Sequence, residues 1–221
     1  MNRAALGPAA LRQARRQLAA ADPVMARLVA AVGTAPMGVH RGGSAFAYLA
    51  RAILAQQISV AAARSIANRL TVRFGWPWRP EHLLAATAAE LRALGLSRQK
   101  AAYLRDLAER TRDGLPLGRL SRLSDERVIE SLMVVKGIGR WTAEMYLMFR
   151  LGRPDVLPVD DLGIRAAMRR AYRMRSMPKK EKMRRIAETW RPFRTVACWY
   201  LWRSLELPPP TDRDPGKGVR S

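Results

Sequence analysis

Apolar residues recur every three to four positions along most of this chain, a spacing that predicts helices. The longest such run, SAFAYLARAILAQQISVAAARSIANRLTVRF, opens at Ser44 and is interrupted at residues 56–59. Thr87-Ala-Ala-Glu90 reads as a capping box, with Gly95 ending the short helix that it starts. Ser97 then caps SRQKAAYLRDLAERTRDG, which stops at Gly114. Ser124 precedes Asp125 and Glu126, so a helix starts there with acid in its first turn, where the macrodipole favours it. Near the amino terminus an alanine-rich helix is followed by the Asp22-Pro23 cap signal. Pro178 is expected to start a basic helix and Pro192 the last one. No β alternation and no repeat is visible. The expectation is an all-α chain of about ten helices with short connections, a helical domain over residues 1–207 and a disordered Pro/Gly/charge-rich tail over 208–221.

With 221 residues, 48% of them hydrophobic, the chain can bury one good core or two small lobes that share a cleft. Charge changes the picture more. Lys and Arg number 40 against 18 Asp and Glu, a net +22. Such an excess points to a polyanionic partner, nucleic acid first and a membrane surface second, although a GC-rich genome also inflates arginine. No apolar run approaches the roughly 18 residues that span a bilayer, so a membrane role is set aside. One cysteine, Cys198, excludes an intrachain disulfide and a four-thiolate iron–sulfur cluster and suits a reducing interior. The first twenty residues carry Arg3, Arg12, Arg15 and Arg16 and no acid, faintly like a transit peptide, but they read better as the first helix. With no secretory signal visible, the expected location is cytoplasmic and nucleoid-associated, or nuclear. His40 and His82 are the only histidines, too few for a convincing nucleophilic triad or zinc cluster.

The stretch VVKGIGRWTAEMY, residues 134–146, carries the most specific local chemistry. An apolar helix, VIESLMVV, runs into Gly137-Ile138-Gly139, and a second helix follows at Arg140-Trp141-Thr142. Glycine permits a turn with positive φ and a close backbone approach to a ligand. The second helix then presents unpaired N–H groups at its positive end, a seat for phosphate that needs no side-chain charge, with Lys136 and Arg140 beside it. The same residues equally describe an ordinary αα-hairpin. Downstream, LPVDDLGIRAAMRR offers Asp160 and Asp161 at a helix start, where either is a good cap. Trp141 and Trp202 taken singly read as core, and Gln57 as a polar residue at a helix break.

Val135-Lys136-Gly137-Ile138-Gly139 with Thr142-Ala143 resembles the helix–hairpin–helix motif of DNA-binding proteins. Together with the Pro-rich loop at residues 155–158 and the aspartates beyond it, it resembles the HhH-GPD superfamily of DNA glycosylases. RAILAQQISVAAARSIANRL, GLSRQKAAYLRDLA and WRPFRTVACWYLWR are similar to the AlkA/MAG branch, the 3-methyladenine DNA glycosylases, so the likeness spans roughly residues 24–206. The resemblance implies a compact all-α fold with two helical lobes and an active-site cleft between them, the hairpin at about 124–150, without the amino-terminal β domain of AlkA. It implies a monomer that flips alkylated bases out of double-stranded DNA and hydrolyses their N-glycosidic bond. A non-catalytic helix–hairpin–helix protein, or a glycosylase for oxidised or mismatched bases, is the alternative.

The resemblance also assigns roles. The family's acid stands three residues before an aliphatic and four before a basic residue, which selects Asp161, ahead of Ile164 and Arg165. Trp141, Trp202, Met145 and Leu162 fall in the lesion pocket, and Met145 and Leu162 stand where AlkA has tyrosines. Gln57 matches the wedge that fills the hole left by the flipped base. Gly137, Gly139, Lys136, Arg140 and Thr142 match the phosphate seat. Backbone carbonyls of Met133, Val135 and Ile138 match a monovalent-cation site. No other cofactor is required. Bifunctional relatives carry lysine at the place of Trp141, so a monofunctional enzyme is implied.

Overall fold

The computed structural model describes residues 6–34, 37–40 and 42–208. Among these there are twelve α-helices, two 3₁₀ turns and no strand. Backbone contacts divide the chain into unit 1, residues 6–10 and 38–158, and unit 2, residues 11–34, 37 and 159–208. The expected tail lies outside the described residues from position 209 onward, as does Arg3.

Unit 1 holds α3 (Ala45–Ala55), α4 (Val60–Phe74), α5 (Pro80–Ala85), α6 (Ala88–Ala93), α7 (Arg98–Arg112), α8 (Asp125–Met133) and α9 (Arg140–Phe149). Local signals place the starts. Ser44, Ser59, Thr87, Ser97 and Ser124 each accept a backbone N–H from the helix that they precede. The Thr87–Glu90 capping box is reciprocal, at 3.2 and 2.8 Å. Helix α7 is the hub against which α3, α5 and α6 pack. Leu49 and Ile53 of α3, Leu104 and Leu107 of α7, Leu132 of α8 and Leu147 of α9 are fully buried. At roughly 1.5–3 kcal/mol per buried aliphatic side chain, they hold the unit together.

Unit 2 holds α2 (Pro23–Val32), α10 (Leu162–Ala171), α11 (Lys180–Ala187) and α12 (Arg194–Ser204), with most of α1 (Pro8–Ala21). Helix α12 packs against α2 and α10. Its core includes Leu18, Met25, Met168, Met183, Trp190 and Leu201. Asp22 caps α2 through Oδ1, taking the Val24 and Met25 amides at 2.8 and 3.4 Å. Its Oδ2 takes Trp190 Nε1 at 3.0 Å and the Tyr172 hydroxyl.

Two boundaries and one helix depart from the sequence reading. Pro178 and Pro192 precede their helices rather than starting them: α11 begins at Lys180 after the extended residue Lys179, and α12 at Arg194 after Phe193. A proline fixes φ but cannot by itself say whether it stands before the cap or at the first helical position. The count of about ten helices was low. The short α5, which starts after Arg79 rather than after a serine or threonine cap, went unread, whereas α6 starts at Thr87 as its capping box predicts.

Candidate active site

In unit 1 the hairpin is built by its glycines in two different ways. Gly137 adopts φ +82°, and a Cβ there would meet the Tyr103 ring at 2.2 Å, so the position needs glycine for both backbone and space. Gly139 is extended at φ −89° and ψ 175°, and a Cβ there would meet nothing within 4 Å. It serves as the cap of α9 and makes no side-chain hydrogen bond. The first intrahelical bond runs from the Ala143 amide to the Gly139 carbonyl at 3.1 Å. Helix α9 therefore opens on a cap residue that offers its first-turn amides no side-chain acceptor, the geometry that accepts an anion.

The hairpin is tied to its neighbours by residues that the sequence reading did not single out. Gln56 Nε2 donates to the Gly137 carbonyl at 2.8 Å, joining the α3–α4 loop to the hairpin. Asp106 of α7 accepts the Lys136 amide at 2.9 Å and Arg110 Nε at 2.9 Å. Burial pushes its carboxyl up, but the hydrogen bonds from Lys136 and Arg110 outweigh that and leave it below its ordinary value. Lys100 Nζ donates to the Leu54 carbonyl at 2.7 Å, closing the end of α3. These partners lie 30 to 81 residues away in sequence from the atoms they hold, beyond the reach of any local motif.

Gln57 stands in the loop that Gln56 anchors. It is exposed and adopts φ +55°, an uncommon conformation for a residue with a side chain. Ile58 and Val60 beside it are exposed too, at 36% and 87%. The predicted break in the long helical run is thus a strained, outward-facing corner.

The phosphate-seat candidates divide. Lys136 is 71% exposed. Arg140, however, is clamped to Glu126 through both guanidinium nitrogens at 2.8 Å, and its Nε lies 3.4 Å from the buried Glu144. Its guanidinium is thus held by two carboxylates in this structure. Thr142 is 7% exposed, so its side chain is buried. The sequence could not show either outcome, because Glu126 lies one helix away. Trp141 is 44% exposed, unlike the fully buried Trp78 and Trp190, so the core reading of this tryptophan does not hold. Met145, one turn along α9, is half-buried. The carbonyls of Met133, Val135 and Ile138 lie at the end of α8 and in the turn, where the helix dipole favours a cation. Val135 O already accepts the Ile138 amide at 3.1 Å, which leaves one of its two lone-pair directions for another partner.

In unit 2 the two neighbouring aspartates behave oppositely. Asp161 is buried, and its Oδ1 accepts the Ile164 amide at 2.7 Å and Trp202 Nε1 at 2.9 Å. Gly163 makes room for this arrangement: a Cβ there would come within 3.1 Å of both Asp161 Oδ1 and Trp202 Nε1. Gly163 was missed by the sequence reading, although a glycine in the first turn after a capping aspartate is an unusual choice in a helix. Asp160 is half-exposed and paired with Lys180. The hydrogen bond to Lys180 holds the Asp160 carboxyl below its ordinary value. Trp202 is half-buried, and Leu162 is 68% exposed. The structure therefore joins Asp161 to Trp202, which lies 41 residues away, and gives Asp160 a surface ion pair.

Among the described residues no group of three His, Cys, Asp or Glu could hold a metal ion, and no helix is long and apolar enough to cross a membrane. The HhH-GPD superfamily of base excision DNA repair proteins matches residues 50–192. The chain is 38% identical to DNA-3-methyladenine glycosylase 1 of Schizosaccharomyces pombe, over 89% of each chain. It is 31% identical to DNA-3-methyladenine glycosylase 2 of Escherichia coli, over 77% of this chain and 62% of that one. Among solved structures, the S. pombe 3-methyladenine DNA glycosylase in complex with abasic DNA superposes with a TM-score of 0.80 at 38% identity, over 90% of this chain and 99% of that one. A DNA-3-methyladenine glycosidase from Bacillus halodurans gives 0.76 at 32% identity, over 86% and 88%.

Proposed function

Because the chain belongs to the HhH-GPD superfamily of base excision DNA repair proteins, we propose that it is a DNA glycosylase that releases alkylated bases, 3-methyladenine among them, from double-stranded DNA. The carrying observation is the Asp161 carboxylate, buried and oriented by the Ile164 amide and the Trp202 indole. When the N-glycosidic bond breaks, its electron pair leaves with the base and positive charge develops on the deoxyribose. A fixed carboxylate beside C1′ stabilises that charge and directs water onto C1′. An alkylated purine such as 3-methyladenine carries a positive charge in the nucleotide and departs neutral, so no acid is needed to protonate it. The indole face of Trp141, like that of Trp202, attracts such a cation by about 0.5–2 kcal/mol; Met145 on α9 and Leu162 at the start of α10 are apolar neighbours of Trp141 and Asp161.

On the DNA side, the α9 amides opened by Gly139 seat a phosphate, Lys136 adds charge, and Gln57 fills the place of the flipped nucleotide. The Met133, Val135 and Ile138 carbonyls would hold a monovalent cation that completes the turn. The protein acts as a monomer. Position 141 makes it monofunctional: strand cleavage by β-elimination needs an amine that attacks C1′, and Trp141 has none.

The test uses methylated duplex DNA. The protein should release 3-methyladenine and leave abasic sites that break only after hot alkali, and borohydride should trap no covalent adduct. DNA binding without base release would return the chain to the non-catalytic reading. An efficient borohydride-trapped complex would sink the monofunctional assignment.

A further inference from the structure

Residues 179–185, KKEKMRR, carry five cations and one acid. They lead into α11, whose cap residue, Lys179, makes no side-chain hydrogen bond to the helix. Lysines in a first turn oppose the helix dipole, which favours an anion at that end. Packing does not explain them. Met183 and Ala187 bury the inner face of α11, whereas Lys179, Lys180 and Lys182 are exposed. So many cations at the positive end of a helix are favourable only where an anion faces them.

In the free protein that anion is Asp160. Lys180 pairs with it, and each side chain is 48% exposed. Arg184 lies one turn beyond Lys180 on the same face of α11, and Arg165 lies in the first turn of α10. The hydrogen bond from Lys180 does most to hold the Asp160 carboxyl below its ordinary value, and the charges of Lys180, Arg165 and Arg184 add to it. Arg165 Nε is buried without a hydrogen bond, and the Arg184 pair with Glu181 is long, at 3.6 Å. Three cations thus converge on one carboxylate, which leaves positive charge over. Asp160 is also the chain neighbour of Asp161, the residue that caps α10.

A nucleotide whose C1′ meets Asp161 carries a backbone phosphate on each side of its sugar, so a phosphate comes close to the residues around Asp161. Left unpaired, Asp160 would repel it. We propose that the Lys180–Asp160 pair is an autoinhibitory contact in which Asp160 occupies the place of a phosphate of the damaged strand. When the nucleotide enters the site, its phosphate takes over Lys180, backed by Arg165 and Arg184, and Asp160 is released. The inference rests on the glycosylase reading of Asp161 and adds to it a DNA contact in unit 2, apart from the hairpin of unit 1. Asp160 touches none of the reacting atoms and acts only by competing for Lys180. Lys180 holds the backbone and reads no base.

Fluorescence anisotropy of the full chain on a duplex with one tetrahydrofuran abasic analogue, over a series of salt concentrations, tests this. Asp160→Asn should tighten binding by about fivefold or more and steepen the slope of log K against log salt by about one, the mark of one added phosphate contact. Lys180→Gln placed on Asp160→Asn should return both the affinity and the slope, whereas Lys180→Arg should keep the gain. Asp113→Asn frees Arg112 from an exposed pair in unit 1 and makes the same change in net charge. It should alter affinity by less than about twofold. An equal gain from Asp113→Asn, or a gain that survives Lys180→Gln, would overturn the proposal. Release of 3-methyladenine by the unmutated chain is measured alongside. Release together with no gain from Asp160→Asn sinks the autoinhibitory pair and leaves the glycosylase reading standing. An unchanged melting temperature shows that each variant is folded.

Discussion

Two helix starts in this molecule solve the same problem in opposite ways. Helix α9 begins at Gly139, which offers its first turn no side-chain acceptor, whereas α10 begins at Asp161, whose carboxylate accepts the Ile164 amide. Both present the positive end of a helix dipole. The open start leaves its donors to an external anion, and the closed start uses them to fix an anion of its own. A third start sharpens the contrast. Asp22 caps α2 and also receives a tryptophan indole, from Trp190, but its second oxygen takes the Tyr172 hydroxyl as well, and its partners are all structural. A buried aspartate cap with an indole donor is therefore a recurrent device of unit 2. Asp161 differs in its downstream neighbours: Gly163, which opens the space beside the carboxylate, and an exposed Leu162.

The largest effect should come from Asp161→Asn. Asparagine caps as well as aspartate, so the melting temperature should hardly move, while single-turnover release of 3-methyladenine falls by about 10³-fold or more. Asp160→Asn loses only a surface ion pair, worth about 0–1 kcal/mol, and should release base at nearly the original rate. The reverse pattern would show that the wrong aspartate has been chosen. Next comes Asp22→Asn, which should leave turnover per folded molecule intact but cost about 1–3 kcal/mol in urea denaturation at neutral pH. Burial pushes the Asp22 carboxyl up, yet the hydrogen bonds from Tyr172, Trp190, Val24 and Met25 together hold it below its ordinary value. A depressed folded value means that its stabilisation is complete above about pH 4, the unfolded value, and is lost as pH falls through the folded one. The acid limb of the stability curve should accordingly flatten in Asp22→Asn.

A smaller effect is expected of Trp202→Phe. It keeps an aromatic ring but removes the donor to Asp161, which should slow release by about ten- to 150-fold, the equivalent of one hydrogen bond to a charged group. Loss of affinity for lesion DNA with an unchanged rate constant would instead make Trp202 a stacking surface alone. Last, Gly139→Asp gives α9 the cap that α10 has. Nothing obstructs the new side chain, so stability should rise by a few tenths of a kcal/mol. Affinity for undamaged duplex should drop about tenfold, with the slope of log K against log salt nearly unchanged because no lysine or arginine is removed. Undiminished binding would reduce the hairpin to a structural turn.

Local rules in the sequence determined much of this protein. The serine and threonine caps, the Asp22-Pro23 start, the break at residues 56–59 and the glycine hairpin all depend on atoms within a few residues, and each appears where the pattern put it. Family resemblance added Asp161 to that reading, since by type alone Asp160 and Asp161 are equal. Tertiary structure alone decided which carboxylate is buried against Trp202 and which is paired with Lys180, because those partners lie 41 and 20 residues further along. It also spent Arg140 on Glu126, set Gln56 as the anchor of Gly137, and gathered His40, Tyr48 and Trp76 around one cavity. The physical reason is range. Capping and turn chemistry act through the chain's own next few atoms, whereas burial and pairing depend on surfaces that meet only after the helices have packed.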